Sequence, residues 1–521
     1  MPTSPRPPAV AVTVVAVTVV ALVMSLSAAG CGGGAPGNGE DLRAQKLSWQ
    51  TCEAPSEAEG GGAAPSPLPG GEDWQCATMK APLDWDAPDG DTISLALIRA
   101  RSSGARDRRI GSLLFNFGGP GLSGVKTLPA FGESYAKLRT RYDLVSFDPR
   151  GVGRSAGVEC LDDDRLDEYF QQDGTPDDAG ERTELLDNTK TFNSACEKNS
   201  GKTIPHVRTT DAARDMDLIR QVLGDDKLHY VGFSYGTELG GVYAHLFPKN
   251  IGRAVFDAVV DPTQTAEQGA LAQTKGFQLA LDNFARDCVS KPEGCPVGDT
   301  VQDVQGRITK LLGDLDTKPI SGVFPRDLTQ SEATTGIAQA LYSQNLWPYL
   351  TQGLEQAYGG DGQLLMLLSD SMNGRDENGE YSNLAAAHTS INCADNKARH
   401  TVEDVEARLP AFRAASPVFG EWLAWSMITC TDWAVAGAAD RPDVRAPGAA
   451  PILVIGNTGD PATPYAGARK MVEALGAGVG VELTYRGQGH GSYSSGNACV
   501  RTAVNDYLLA GKVPKSETIC S

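Results

Sequence analysis

The stretch LHYVGFSYGTELGGVYAHLF, residues 228–247, decides the fold of this chain. Its first six residues form a short apolar run that is typical of a buried strand. Ser234 then stands between Gly232 and Gly236, and a segment that favours a helix follows. A serine between glycines at a strand-to-helix turn is the pattern of a nucleophile elbow. We therefore predict that Ser234 is a catalytic nucleophile.

The same Gly-x-Ser-x-Gly pattern occurs a second time at residues 153–157, with Ser155 at its centre. This copy lies in a glycine-rich loop and leads into the acidic stretch CLDDDRLDE, residues 160–168. It lacks the strand before the serine and the helix after it that an elbow requires. We expect Ser155 to have no part in catalysis.

Strands and helices alternate on both sides of the elbow. Continuous apolar runs indicate strands at residues 93–100, 112–117, 142–147, 228–233, 254–260, 451–456 and 481–485. Such runs fit strands buried on both faces, as in a parallel sheet that helices cover. We predict an α/β fold with a mostly parallel central sheet.

The alternation stops between about residues 262 and 445, where helical segments predominate. We interpret residues 262–445 as a mostly helical cap inserted between two halves of the sheet domain, residues 76–261 and 446–521.

A serine hydroxyl needs a neighbouring base, and a carboxylate in turn orients that base. His490 lies in RGQGHG directly after the last strand run, where flanking glycines leave its imidazole free to reach the elbow. His388 and His400 fall in the helical insertion, and His245 falls in the helix after the elbow. We predict that His490 is the base.

Two aspartates compete for the role of the carboxylate. Asp460 ends the segment PILVIGNTGD, thirty positions before His490, and Asp261 follows another strand. We favour Asp460, although an Asx turn before Pro461 explains the same residue. The oxyanion of the intermediate needs backbone N–H donors, which we assign to Gly119 and Tyr235. This set of groups requires neither a metal ion nor a cofactor.

Five motifs, read in order, resemble those of the proline iminopeptidase and tripeptidyl aminopeptidase group of α/β-hydrolases. They are FGGPG (117–121), DPRGVGRS (148–155), GFSYG (232–236), GNTGDPATP (456–464) and GQGHG (487–491). The chain is most similar to the exported actinobacterial tripeptidyl aminopeptidase-like lipoproteins. The resemblance implies a serine exopeptidase that releases residues or tripeptides from free peptide N-termini. Proline iminopeptidases usually have His before GGPG, and Phe117 at that position speaks against proline specificity.

An aminopeptidase must bind the ammonium group of its peptide substrate, so acidic residues are expected near the nucleophile. Glu238 lies one helical turn after Ser234, and Asp395 and Asp432 each lie close to a cysteine. A disulfide between those two cysteines would bring the two aspartates together. All three are candidates, with solvated surface carboxylates as the open alternative.

The N-terminus indicates export. Residues 1–30 have the layout of a secretory signal peptide, and the small residues before Cys31 resemble a lipobox, so we expect Cys31 to carry a membrane-anchoring lipid. Residues 31–75 are interpreted as a flexible tether and a loosely built N-terminal segment. Pairing the other ten cysteines as neighbours predicts the disulfides 52–76, 160–196, 288–295, 393–430 and 499–520.

A net charge of −19 argues against a nucleic-acid partner. Two alternatives to a peptidase remain open. The first is a carboxylesterase or lipase, because fold and triad do not determine what is cleaved. The second is a non-catalytic binding lipoprotein on a hydrolase scaffold.

Overall fold

Twelve strands lie within residues 41–521, the part of the chain that this computed structural model describes. They are β1 (Gln50–Thr51), β2 (Gln75–Pro82), β3 (Thr92–Ala100), β4 (Gly111–Asn116), β5 (Tyr142–Phe147), β6 (Leu228–Ser234), β7 (Ile251–Val259), β8 (Ile320–Ser321), β9 (Asp327–Leu328), β10 (Ile452–Gly459), β11 (Gly480–Gln488) and β12 (Thr518–Cys520). The predicted signal peptide and the predicted lipid site, Cys31, lie outside the described residues.

The α-helices of the same part of the chain alternate with these strands except in one long segment. They are α1 (Gly124–Phe131), α2 (Ala136–Arg139), α3 (Asp163–Gln171), α4 (Ala179–Ser200), α5 (Thr209–Val222), α6 (Tyr235–Leu246), α7 (Ala266–Val289), α8 (Val301–Thr317), α9 (Gln330–Leu341), α10 (Trp347–Tyr358), α11 (Gln363–Asn373), α12 (Leu384–Asp395), α13 (Val402–Ala415), α14 (Gly420–Trp425), α15 (Ala466–Leu475) and α16 (Ala498–Ala510).

Ten strands form one sheet in the order β1-β2-β3-β5-β4-β6-β7-β10-β11-β12. Every neighbouring pair from β5 to β12 is parallel, whereas β1, β2 and β3 add to the β5 edge in antiparallel fashion. The prediction of a mostly parallel sheet is confirmed. The antiparallel strand β2 was not predicted, because its sequence QCATMKAP mixes polar and apolar residues without a continuous run.

The central strands are apolar on both faces because helices cover both faces. In β4 the side chain of Leu114 joins the apolar core on one side of the sheet, and Leu113 and Phe115 join the core on the other side. Adjacent residues of a strand point to opposite faces. A continuous apolar run is therefore what a doubly covered strand requires.

The segment between β7 and β10 is helical, as predicted, and adds only the two-residue strands β8 and β9. Most of its helices share an apolar core of their own, which includes Phe284, Trp347 and Phe419. Helix α12 differs, because its Ile391 packs into the core beside the sheet. Conversely, Leu185 of α4 packs into the core of the cap. The boundary between the core of the cap and the core beside the sheet therefore does not coincide with the ends of the insertion in the sequence.

Residues 41–75 are packed more closely than the predicted loosely built N-terminal segment, and the predicted tether at residues 32–39 lies outside the described residues. Residues 41–75 contain little regular structure, as their glycine and proline content indicates, but they are held against the sheet domain. Trp74 and Leu68 are buried, the carboxylate of Glu59 is buried, and a disulfide joins Cys52 to Cys76. Irregular backbone here is fixed by packing and by a covalent bond.

The five predicted disulfides are all present: Cys52–Cys76, Cys160–Cys196, Cys288–Cys295, Cys393–Cys430 and Cys499–Cys520. Across residues 41–521, none of the helices combines the length and the apolar character needed to cross a membrane.

Candidate active site

Ser234 occupies a strained turn between β6 and α6. Its backbone has φ 55° and ψ −126°, a region that residues with a Cβ rarely adopt. A Cβ at Gly236 would lie only 2.6 Å from the carbonyl oxygen of Asn116, so a glycine is required where the turn meets β4. Strain of this kind persists only where the surrounding structure enforces it, as at a nucleophile elbow.

The FGGPG loop after β4 lies against this turn. A Cβ at Gly118 would lie 2.8 Å from the Cβ of Ser234, so only a glycine lets the loop approach the serine this closely. Gly119 follows and lines the same cleft as Ser234 and Tyr235. Tyr235 is the first residue of α6, where a backbone N–H has no acceptor inside its own helix. Gly119 and Tyr235, whose amides were assigned to the oxyanion, thus both line the cleft that holds the serine.

His490 and Asp460 form a close pair at the same edge of the sheet. The Nδ1 atom of His490 lies 2.8 Å and 3.0 Å from the two carboxylate oxygens of Asp460, which is fully buried. Burial lowers the pKa of His490, but the Asp460 carboxylate outweighs that effect and the net pKa is raised. With Nδ1 bonded to the carboxylate, Nε2 is the nitrogen available to a nucleophile.

Two further residues contact His490 and were not predicted. Tyr342, just after α9 of the cap, accepts the backbone N–H of His490 at 2.7 Å and packs its ring edge-on at 5.1 Å. The hydroxyl of Thr463 lies 3.4 Å from Nδ1. Both residues line the cleft that contains Ser234. Tyr342 of the cap thus contacts both the backbone and the ring of His490, a long-range contact that no local pattern reports.

The rival residues Ser155 and Asp261 make hydrogen bonds that do not involve His490. Ser155 is fully buried, and its hydroxyl accepts the backbone N–H of Ala96 at 2.9 Å. Asp261 closes its own Asx turn by accepting the N–H and the hydroxyl of Thr263. Asp460 also accepts the N–H of Thr463, so the turn that competed with its predicted role exists beside the bond to His490.

Of the two histidines in the helical insertion, His388 lines the cleft with Ser234 and His400 does not. His388 of α12 lines the cleft, and its Nδ1 lies 3.1 Å from the carbonyl oxygen of Pro120, which fits a neutral ring that donates from Nδ1. Desolvation lowers the pKa of His388 and favours that neutral form. His388 was not predicted as a site residue because it lies in the insertion. In the structure α12 packs against the FGGPG loop and so brings His388 to the cleft.

The cleft has a volume of about 460 Å³ and is bounded by the elbow, the FGGPG loop and the cap. Glu238 lies in the wall of this cleft, one turn along α6 from Ser234. Its carboxyl group has no hydrogen-bond or ion-pair partner within residues 41–521. Burial, aided by the nearby charge of Asp395, raises the pKa of Glu238 to about 8. A carboxyl group in a cleft wall that has no partner among the described residues is available, once ionised, to a cationic group of a ligand.

The other two acidic candidates lie differently. Asp395 accepts the N–H of Thr209 at 2.9 Å and its hydroxyl at 2.6 Å, and that hydroxyl also contacts the phenol of Tyr235. Burial raises the pKa of Asp395 to about 6. Asp432 is exposed, pairs with Lys190 and does not line the cleft. The disulfide between Cys393 and Cys430 forms, but it does not bring Asp432 to the site, which leaves Glu238 in the cleft wall and Asp395 behind it.

Comparison with known proteins places the chain in a family. A family model described as TAP-like protein matches residues 416–520. The serine protease Hip1 of Mycobacterium tuberculosis is 35% identical over 504 residues, which cover 94% of this chain and 93% of Hip1. The tripeptidyl aminopeptidase of Streptomyces lividans is 30% identical over 485 residues, 91% of this chain and 86% of that protein. The chain belongs to the tripeptidyl aminopeptidase-like family of α/β-hydrolases.

The relatives in this family have names that describe different activities. Carboxylesterase B of Mycobacterium tuberculosis is 35% identical to this TAP-like chain over 460 residues, 86% of each protein. A protease, an aminopeptidase and an esterase thus all have sequences similar to it. This TAP-like protein is a serine hydrolase of the α/β-hydrolase fold, and its substrate has to be argued from the cleft.

Proposed function

We propose that this protein is a serine exopeptidase that cleaves peptides from a free N-terminus through an acyl-enzyme intermediate. The observation that carries the proposal is the carboxyl group of Glu238, which has no hydrogen-bond or ion-pair partner within residues 41–521 and lies in the wall of the cleft that holds Ser234. A peptide ammonium bound to Glu238 would place the first peptide bonds of the substrate beside the nucleophile. The peptidase and aminopeptidase names of the relatives support the same conclusion.

The proposed mechanism uses only side chains and amides of the chain. His490 accepts the Ser234 proton at Nε2 as the hydroxyl oxygen attacks the scissile carbonyl carbon. The Asp460 carboxylate holds the imidazole in the required tautomer and stabilises the imidazolium. The amides of Gly119 and Tyr235 donate to the oxyanion, and His490 returns the proton to the leaving amine. A water molecule then attacks the acyl carbonyl carbon, and His490 accepts its proton. The ester bond to Ser234 breaks, His490 returns the proton to the serine oxygen, and the acid product is released.

The experiment that tests this function compares three substrates on protein that begins after Cys31. They are a tripeptidyl chromogenic amide with a free amine, the same amide with an acetylated N-terminus, and a short-chain ester. We expect the free-amine amide to be hydrolysed far faster than its acetylated form, and Ser234→Ala to abolish that reaction. Indifference to acetylation would contradict the exopeptidase proposal.

A matched pair of variants separates ammonium binding from general charge effects in the cleft. Glu238→Gln is expected to remove the preference for a free amine. Asp261→Asn alters another carboxylate that lines the cleft but is engaged in its own turn, and it is expected to leave the preference unchanged. Equal effects of the two variants would assign the preference to net charge rather than to Glu238.

The second candidate function is a carboxylesterase, which the similarity to carboxylesterase B favours. Fast hydrolysis of the ester with slow hydrolysis of both amides would support it. A wild-type protein as inert as Ser234→Ala towards all three substrates would instead favour a binding lipoprotein.

We also propose that the protein is exported and held at the membrane by a lipid on Cys31. The apolar run and small residues of the N-terminus support export, and so do the five disulfides, which persist in oxidising compartments. Expression of the full chain in a bacterium with a lipoprotein pathway tests this. Wild type should fractionate with membranes and Cys31→Ala should not, and identical fractionation of both would overturn the proposal.

A further inference from the structure

Asp257 is a fully buried carboxylate that the mechanism above does not use. It lies on β7, where it pairs with Phe233 of β6 on one side and Ile455 of β10 on the other. These are the strands that lead to Ser234 and to Asp460. Asp257 therefore lies at the centre of the sheet, directly beneath the loops that carry the catalytic groups.

The loop that carries His490 is anchored on this carboxylate. The backbone N–H of Ser492 donates to both oxygens of Asp257, at 2.9 Å and 3.0 Å, and that of Tyr493 donates to one of them at 2.8 Å. Amide donors directed at both oxygens favour the ionised carboxylate. Two successive amides just after His490 are thus attached to one fixed point in the sheet.

A bulge in β7 directs Asp257 towards this loop. In the pairing of β6 with β7, Phe233 faces Asp257 and Ser234 faces Val259, so Ala258 is an extra residue. Ala258 is buried and has φ 56°, a conformation that favours glycine. Bulges next to active sites redirect side chains, and a strained backbone at such a position persists only where the surrounding structure enforces it.

Few charged groups act on His490 from the elements around it. Asp460 faces the ring from the loop after β10 and Asp257 acts from β7, while Tyr342 and Thr463 contribute neutral groups. Burial lowers the pKa of the imidazole, and both carboxylates raise it, with Asp460 the stronger of the two. Burial also raises the pKa of Asp257 itself, while the amides of Ser492 and Tyr493 oppose that rise.

We propose that Asp257 is a positioning residue of the active site, which anchors the His490 loop and supplies a second negative charge to the imidazole. The proposal rests on the assignment of His490 as the base of the proposed function. Asp257 touches neither substrate nor the reacting atoms, so it acts only through His490. A positioning role differs from a purely structural one, because it alters the titration of the base as well as the rate.

The test measures the rate at which a fluorophosphonate probe modifies the protein as a function of pH. The probe phosphonylates an activated serine: the Oγ–P bond forms, fluoride leaves and the base accepts the hydroxyl proton. Its reaction therefore depends on the base but not on the identity of the natural substrate. We expect Asp257→Asn to lower the limiting rate by about 10²-fold, the cost of a small misplacement of a catalytic group. We also expect its acid limb to move to lower pH, because the imidazolium loses a stabilising charge.

Asp217→Asn is the matched control, since Asp217 is also a buried carboxylate but accepts from Arg220, Tyr243 and Asn250 away from the cleft. Its pH profile should coincide with that of wild type. Thermal unfolding of both variants establishes that they are folded at the assay temperature. An unshifted acid limb in a folded Asp257→Asn protein overturns the proposal.

If Asp257→Asn does not fold, Asp257→Ser retains an acceptor for the loop without the charge, and the same shift of the acid limb is required of it. The probe also separates this proposal from the proposed function. A wild type that the probe does not modify refutes Ser234 as an activated nucleophile. A wild type that the probe modifies but that cleaves no peptide refutes the exopeptidase proposal and leaves the test of Asp257 intact.

Discussion

Residues 153–157 and 232–236 have the same Gly-x-Ser-x-Gly pattern and opposite environments. Ser155 is fully buried, and its hydroxyl is engaged with a backbone amide of β3. Ser234 is partly exposed in a cleft and has a strained backbone at the junction of β6 and α6. The comparison shows that the Gly-x-Ser-x-Gly pattern alone does not identify a nucleophile. The buried strand before Ser234 and the helix after it are the features that distinguish a nucleophile elbow from the bare pattern.

The neighbours of the two serines differ for the same reason. The carboxyl ends of parallel strands meet at one edge of the sheet, so the loops after β4, β6, β10 and β11 converge on Ser234. Ser155 instead connects a loop to β3, which pairs antiparallel at the other side of β5. The predicted base His490 and its carboxylate Asp460 lie at the sheet edge that carries Ser234.

The largest effect is expected from Ser234→Ala. Loss of the nucleophile should lower kcat by about 10⁶-fold, as removal of a triad serine does in other hydrolases. Hydrolysis of whichever substrate the wild type prefers measures this. Ser155→Ala is the matched variant, and a loss of comparable size in it would remove the distinction between the two motifs.

Asp460→Asn is expected to lower kcat by about 10⁴-fold, because the amide permits the wrong tautomer of His490. Asp261→Asn changes the rival aspartate of the same cleft and should have little effect on kcat. Steady-state kinetics of both variants provide the measurement. If Asp261→Asn caused the large loss and Asp460→Asn the small one, Asp261 would be the triad acid. Asp460 would then serve only to close its turn with Thr463.

Glu238→Gln should raise KM for a free-amine substrate by about tenfold to a hundredfold, the range expected when one hydrogen bond to a charged group is lost. The pKa of Glu238 is raised to about 8, so the carboxyl is largely neutral below that pH and ionises above it. Ammonium binding by wild type should therefore strengthen as pH rises towards 8. KM measured against pH should lose this limb in Glu238→Gln, and a limb retained in the variant would assign it to another group.

The smallest effect on activity is expected from Ser155→Ala, which should instead lower stability. The variant leaves the buried N–H of Ala96 without its acceptor, at a cost of about 1–3 kcal/mol in the free energy of unfolding. Denaturant unfolding measures this change, and kcat should stay close to that of wild type. An unchanged unfolding midpoint would show that the hydroxyl is dispensable to the fold.

The parallel strands of the sheet could be predicted because burial on both faces leaves continuous apolar runs, as in LHYVGF. Residues 75–82 form β2, an edge-side antiparallel strand that was not predicted, because one face of it carries polar side chains such as Lys80. The close packing of residues 41–75 was also not predicted. Glycine and proline content indicates irregular backbone, but it does not report the burial of Trp74 or the bond from Cys52.

At the site, the pairing of His490 with Asp460 was predictable, since each follows a strand and adjacent parallel strands end together. The contributions of Tyr342 and His388 could not be predicted, because they depend on how the cap folds back over the sheet. Asp432, by contrast, was predicted as a candidate for the site but does not line the cleft. Its neighbour Cys430 does bond to Cys393, but the backbone after the disulfide directs the aspartate to solvent and to Lys190.

Labelling with a fluorophosphonate probe, followed by mass spectrometry of the proteolysed protein, tests the central claim most directly. The account predicts a single modified serine, Ser234, in wild type and in Ser155→Ala, and no modification in Ser234→Ala. A label on Ser155, or a label that persists in folded Ser234→Ala, would contradict it.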